Sequence, residues 1–447
     1  MTYSTLWLAQ IQFFSSLGFM LLFLAIELGL AWILLYFKLR SRGADHAAWT
    51  AAYRFWVRVF ALAFILSFAA SLPVLIQFGS LWPKLMDKVG NVAGPLLAAG
   101  ILSAFIFKSC FLGAMLFGQR HLSERTHTLV VFMVALGVAV SSFWLIVLLS
   151  WMHTPAGALL LDDRYYVMAW PDVLLNPALP WYAGLFVLAS LLTAGFLMLG
   201  VVAAQALRRP VDESGRLVFK TAAWVVAAAI LAQGAMAVGA IDMVANHQPA
   251  KAAATAAYWR SADTPPDLVL FAWPDAAKAE NRAAWLWREA GGVWLKRGAD
   301  GKFRGLDQFA GMMPPVALTF WSFRLAVAVG LCMALAAWLT LWQARRKHYD
   351  PGAFSVAWRR VLVAMTFSGW IMLLAGLAHL LLGALPYAVS GTVTVTEIAV
   401  DAAPDVVLGG YVAYMVFYLF FLAGFFQMLR YIARYGVVPV ARRRGRA

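Results

Sequence analysis

Five ionisable side chains stand inside otherwise apolar stretches: Glu27, Lys108, Asp242, Arg324 and His379. A charge at hydrocarbon depth is costly, so each must face a partner, water or another subunit, and each is a functional-site candidate. Lys108 interrupts the run from Gly94 to Gly118, GPLLAAGILSAFIFKSCFLGAMLFG, near its middle. Along the first and third apolar runs, both entered from the same side, Glu27 and Lys108 fall at similar depth. The expectation is a buried pair in which each charge offsets the desolvation of the other. Asp242, Arg324 and His379 fall toward one end of their runs, beside the longest polar segment. They make a candidate polar site there; the plainer alternative is a scatter of helix-end charges.

Other chemistry is sparse. The seven histidines are 46, 121, 127, 153, 247, 348 and 379, and only His379 lies well inside an apolar run. Cys110 and Cys332 both sit in apolar surroundings and read as buried small hydrophobes, with no disulfide or metal pattern.

The elements that position these residues follow from composition. Of 447 residues 63% are hydrophobic and 13% charged, which marks a polytopic membrane protein. A 25-residue helix reaches about 37 Å, enough for a hydrocarbon core of roughly 30 Å. Nine such spans are expected, near 13–37, 54–78, 93–117, 127–151, 181–207, 219–242, 316–344, 358–383 and 408–430. The N-terminal MTYSTLWLAQ has no basic region and no small-residue cleavage site, so the first span is expected to be retained.

The net charge of +15 would suggest nucleic acid in a soluble chain, but its placement argues otherwise. Most of the 36 Lys and Arg lie in the connections between spans one and two, three and four, five and six, and seven and eight, and in the C-terminal tail, including Arg442–Arg446. Such residues stay cytoplasmic, which places the N-terminus outside and the C-terminus inside. The organisation expected is spans one to six over 1–242, an extracytoplasmic segment over 243–315, and spans seven to nine with a basic tail over 316–447. The long segment carries turn signals at Pro265-Pro266, Gly291-Gly292 and Asp300-Gly301, with a helical piece expected from Ala276 to Ala290. Its length suits a lid or partner surface.

Several short stretches, in order, resemble subunit I of the cytochrome bd quinol oxidases. They are Ile11-Gln12-Phe13 with Leu28-Gly29-Leu30-Ala31; Gln77-Phe78-Gly79 with Trp82; Gly94-Pro95-Leu96; Ala135-Leu136-Gly137; Asn176-Pro177; Gln248-Pro249-Ala250-Lys251; and Phe320-Trp321-Ser322-Phe323-Arg324. The resemblance runs over nearly the whole chain. It implies an all-α bundle of nine transmembrane helices in the bacterial cytoplasmic membrane, with a long outer loop. It also implies two b haems and one d haem, quinol oxidation on the outer side, and a second membrane subunit.

At the positions where the resemblance implies haem ligands, this chain carries other residues. The high-spin histidine falls on Met20, the low-spin histidine on about Leu185, and its methionine partner on Ala326. Two glutamates of the third helix fall on about Ala99 and on Lys108. The loop lysine is kept as Lys251 and the arginine as Arg324, but the glutamate five residues after the lysine is Ala256. A signature of the eighth helix is reduced to Gly376-Leu377-Ala378-His379-Leu380. Met20 and His379 remain the candidate iron donors, and Lys251, Arg324 and His379 the candidates on the quinol side.

Three functions compete. The first is a haem-poor or haem-free paralogue that binds no cofactor itself and partners a subunit II-like chain or a haem-bearing subunit I. The second is an electron-transfer subunit oxidising quinol with displaced ligands. The third is a transporter reusing the bundle with Glu27 and Lys108 on an internal path, though no broken helix or inverted repeat supports it.

Overall fold

The computed structural model describes residues 4–43, 45–298 and 300–435, so Arg442–Arg446 lie outside the described residues. Among the described residues nine helices are long and apolar enough to cross a membrane. Spans one to nine are Thr5–Arg40, His46–Ser80, Leu85–Phe117, Glu124–His153, Trp170–Ala206, Glu213–His247, Val316–Arg346, Val356–Leu382 and Pro404–Arg434. They outrun the hydropathy windows by several residues because polar caps extend helices past the apolar core. Ser4 accepts the Trp7 amide, Ser123 that of Thr126 and Asp212 that of Gly215.

Span one is the hub. Its apolar window is 94% buried, against 11% for spans three and nine, so those two line the perimeter. An aromatic cluster joins spans one, eight and nine: the rings of Phe23, Trp370 and Phe425 lie 5.2–5.5 Å apart pairwise. The Trp370 indole also donates to the Leu22 carbonyl at 2.9 Å, which locks span eight to span one.

The outward faces of spans three and seven correct one expectation. Cys110 and Cys332 are exposed on the bundle surface, not buried. Apolar sequence alone does not separate a face turned to lipid from one turned to protein, since both are hydrocarbon-like.

The long segment packs over one end of the bundle, called here the loop end. It opens with a short helix, Pro249–Ala256, and continues into an antiparallel hairpin of Leu268–Asp275 with Glu280–Trp287. The helix expected from Ala276 to Ala290 is therefore a turn and a strand. Asp275 accepts the Ala277 amide and pairs with Arg282 at 2.5 Å, which closes the turn. The Trp259 indole holds Asn281 Oδ1 at 2.9 Å from outside the strand. Such tertiary contacts override weak local helix propensity.

Two further hairpins close the loop end, Ala158–Leu161 with Arg164–Val167, and Tyr387–Val389 with Val393–Thr394. Lys88 ties them together through Asp163 and, at 3.2 Å, through Glu397.

Candidate functional site

The structure brings Glu27 and Lys108 together inside the bundle. Lys108 Nζ lies 2.8 Å from Glu27 Oε1, with Glu27 fully buried. The ammonium also sits 5.1 Å from the Phe64 ring centroid of span two, a cation–π contact. Neither Glu27 oxygen accepts an aligned hydrogen bond from the described residues, so the contact is an ion pair with little other support.

A break in regular helix aims Lys108 inward. Residues Ala104–Ser109 form a π-helical turn within span three. The extra residue per turn rotates the following side chains, as π-bulges do at special sites. Phe105 and Ile106 face outward, 64% and 49% exposed, while Lys108 is buried. The bulge rests on Gly137 of span four, where a Cβ would stand 2.5 Å from Phe107 Cβ and 2.9 Å from its carbonyl carbon. Only glycine leaves room for that backbone.

At the loop end, Lys251 is the centre of a second group. It lies on the short helix after span six, 3% exposed, and its methylenes pack against Gly383 at the end of span eight. The ammonium has no acceptor among the described residues, and burial pushes its pKa down to about 7. Around it stand His153, Tyr182, Gln248 and His379. The Tyr182 hydroxyl lies 3.2 Å from His153 Nδ1, and the Gln248 amide donates at 3.4 Å to both Tyr182 and the His153 carbonyl. Gln248 Oε1 accepts nothing from the described residues. His379 Nδ1 lies 3.3 Å from the Thr319 carbonyl, and its ring stands edge-on to Phe323. The group is rich in nitrogen and holds no carboxylate.

Arg324 has a different task. Its guanidinium donates to Val269 O at 2.6 Å, Thr255 O at 2.8 Å, Leu270 O at 3.0 Å and Phe320 O at 3.2 Å. Its carbon lies 3.2 Å from the Phe320 ring centroid. Four carbonyls from three segments thus converge on one cation, which clamps the short helix and the hairpin to span seven. Asp242 stands apart from these residues. It is exposed and pairs with Lys296 of the long loop at 2.6 Å, with Asn246 donating at 3.0 Å.

Sequence reasoning missed His153, Tyr182 and Gln248 as neighbours of Lys251. A signal was present for two of them. Gln248 caps the short helix three residues before Lys251, and His153 ends span four at the same membrane level. Tyr182 carried no signal.

The three positions at which the resemblance implies axial ligands are apolar or sulfur-bearing. Met20 is buried among the core side chains of span one. Leu185 adjoins Gly184, against which the Met236 methyl of span six lies, and Ala326 is half-buried on span seven. Leucine and alanine carry no lone pair for iron.

Comparisons with known proteins agree with this architecture. The family model described as cytochrome bd terminal oxidase subunit I matches residues 8–437. Cytochrome bd ubiquinol oxidase subunit 1 of Bacillus subtilis (strain 168) is 27% identical over 420 residues, covering 91% of this chain and 88% of that protein. Cytochrome bd-II ubiquinol oxidase subunit 1 of Escherichia coli (strain K12) is 27% identical over 279 residues, covering 62% and 54%. The structure of bd oxidase from Geobacillus thermodenitrificans superposes with a TM-score of 0.87 at 19% identity, covering 97% of this chain and 99% of that one. The chain is thus a multi-pass membrane protein of the cytochrome bd terminal oxidase subunit I family, which sits in the bacterial inner membrane.

Proposed function

We propose that this chain is a haem-poor or haem-free paralogue of bd subunit I, acting as a structural partner within a membrane complex. The family implies haem cofactors and a multi-subunit assembly. One observation carries the reading: the implied axial ligands fall at or near Leu185 and on Ala326, and neither leucine nor alanine can bind iron. Met20 keeps a thioether, but it is a core-filling side chain of the hub helix. The Met236 methyl packs against Gly184, beside Leu185, which adds weight. This donor set does not suit a six-coordinate b haem.

In this reading Glu27 and Lys108 are structural charges. The N-terminus and the long loop lie on the extracytoplasmic side, as the basic connections require. The partner is a second membrane subunit, either subunit II-like or a haem-bearing subunit I. A reduced-minus-oxidised spectrum of the purified chain, with extracted haem quantified per polypeptide, tests it. Less than about a tenth of a haem per chain is expected; stoichiometric haem would overturn the proposal.

A second reading keeps electron transfer from quinol. The observation favouring it is Lys251 at the loop end, buried, with no acceptor among the described residues and a pKa lowered by burial to about 7. Haem-dependent oxidation of a quinol by the isolated chain would establish it, and Met20 and His379 would then be the residues to replace.

A further inference from the structure

The end of the bundle opposite the long loop carries a cavity that neither site above uses. It has a volume of about 430 Å³ and lies where span five ends, span six begins and the connection from span seven to span eight turns. Four arginines line it, Arg208, Arg209, Arg216 and Arg359, with Asp350 as the lone carboxylate. Arg216 reaches Asp350 Oδ2 at 3.3 Å, while Asp350 Oδ1 accepts the Gly352 amide at 2.9 Å. Arg359 donates to the Ala206 carbonyl at 2.6 Å, and its buried Nε has no acceptor in the protein among the described residues. Arg208 and Arg209 are exposed and form no ion pair among the described residues. Four guanidiniums against one carboxylate leave three positive charges around a concave space.

We propose that this cavity binds a phosphate ester anion, held as the headgroup of an acidic phospholipid. Guanidinium forks match the oxygens of a phosphate in pairs, and several are needed to balance its charge. The volume falls in the range of small-molecule sites and exceeds what a bare phosphate fills. The surroundings favour a lipid source. Leu207 on the cavity wall, and Val356 and Val361 on the helix that carries Arg359, are exposed apolar side chains. Trp224, also exposed, hydrogen-bonds the Tyr349 hydroxyl beside this connection, as interfacial tryptophans do. Acyl chains can run down that apolar side while the headgroup sits among the arginines, the arrangement expected of basic pockets between transmembrane helices. Arginines that only set topology need to lie outside the core; they need no cavity and no unsatisfied guanidinium.

The test uses the full chain, purified in detergent with whatever subunit accompanies it, stripped of lipid and titrated under native mass spectrometry. The probes are dioleoylphosphatidylglycerol, dioleoylphosphatidylcholine and sn-glycerol 3-phosphate. Phosphatidylglycerol should bind at least about tenfold more tightly than phosphatidylcholine, and the double variant R208A/R209A should lose about tenfold or more of that affinity. Neither arginine side chain forms a hydrogen bond or ion pair with the described residues, and their backbone amides still bond Gln205 O in the variant, so it should fold. Arg360→Ala removes one charge from the helix that carries Arg359, outside the cavity, and should leave binding unchanged. Equal affinity for the two lipids, or equal loss in R360A, would overturn the site. Displacement of the lipid by glycerol phosphate at similar concentration would overturn the lipid source.

Discussion

Lys108 Nζ lies 2.8 Å from Glu27 Oε1 inside the bundle, and the lysine that makes this contact sits in the π-helical bulge of span three at Ala104–Ser109. The pair neutralises two charges that hydrocarbon would not tolerate singly. Replacing Lys108 with methionine should therefore strand Glu27 and destabilise the protein by about 3–5 kcal/mol. The double variant K108M/E27Q should recover most of that loss, because a neutral amide is cheaper to bury than a lone carboxylate. Thermal unfolding of both variants in one detergent measures the difference. Unchanged stability in Lys108→Met alone would show that the pair contributes nothing.

Gly137 controls the same bulge from span four. Gly137→Ala would place a methyl 2.5 Å from Phe107 Cβ, against backbone that cannot move aside without unwinding the π-helical turn. The expected cost is about 1–3 kcal/mol of overpacking. Gly100→Ala is the control, since its nearest neighbour would be Trp144 Cβ at 3.5 Å, an ordinary contact. Melting temperatures should separate the two.

Arg324 should not tolerate lysine. An ammonium cannot span carbonyls from Thr255, Val269, Leu270 and Phe320 at once. Losing charge-assisted bonds worth about 1.5–3 kcal/mol each should raise amide exchange in the hairpin and in the Pro249–Ala256 helix by at least tenfold. The transmembrane helices should keep their protection.

Lys251 makes the loop end sensitive to pH. Burial lowers its pKa from 10.5 to about 7, so between these values the unfolded chain binds a proton that the folded one does not. Stability should then rise as pH climbs from about 7 toward 10.5, and the full penalty of burying the ammonium should apply below about 7. Thermal unfolding between pH 6 and 9 should show this slope, and Lys251→Met should flatten it. A slope that survives in the variant would assign it to another group.

The overall architecture was legible because the bilayer imposes it. Hydrocarbon thickness sets the length of each apolar run, and the unmet hydrogen bonds of an unfolded backbone force each run into helix. The equal depth of Glu27 and Lys108 could be counted along two helices from a shared side. The likeness to bd subunit I rested on motifs in order, and the family match over residues 8–437 agrees with it.

Direction and partnership in three dimensions were not legible. The inward turn of Lys108 depends on a π-helical bulge seated on Gly137, a contact between spans three and four that neither span's hydropathy records. The capture of Arg324 by carbonyls depends on a hairpin whose second strand, Glu280–Trp287, shows no sequence pattern that excludes helix. Tyr182 joins Lys251 through a hydrogen-bonded neighbour more than sixty residues away. Hydropathy records how deeply a residue is placed in the membrane. Which face of the helix it occupies, and what it meets there, was decided by close packing between spans.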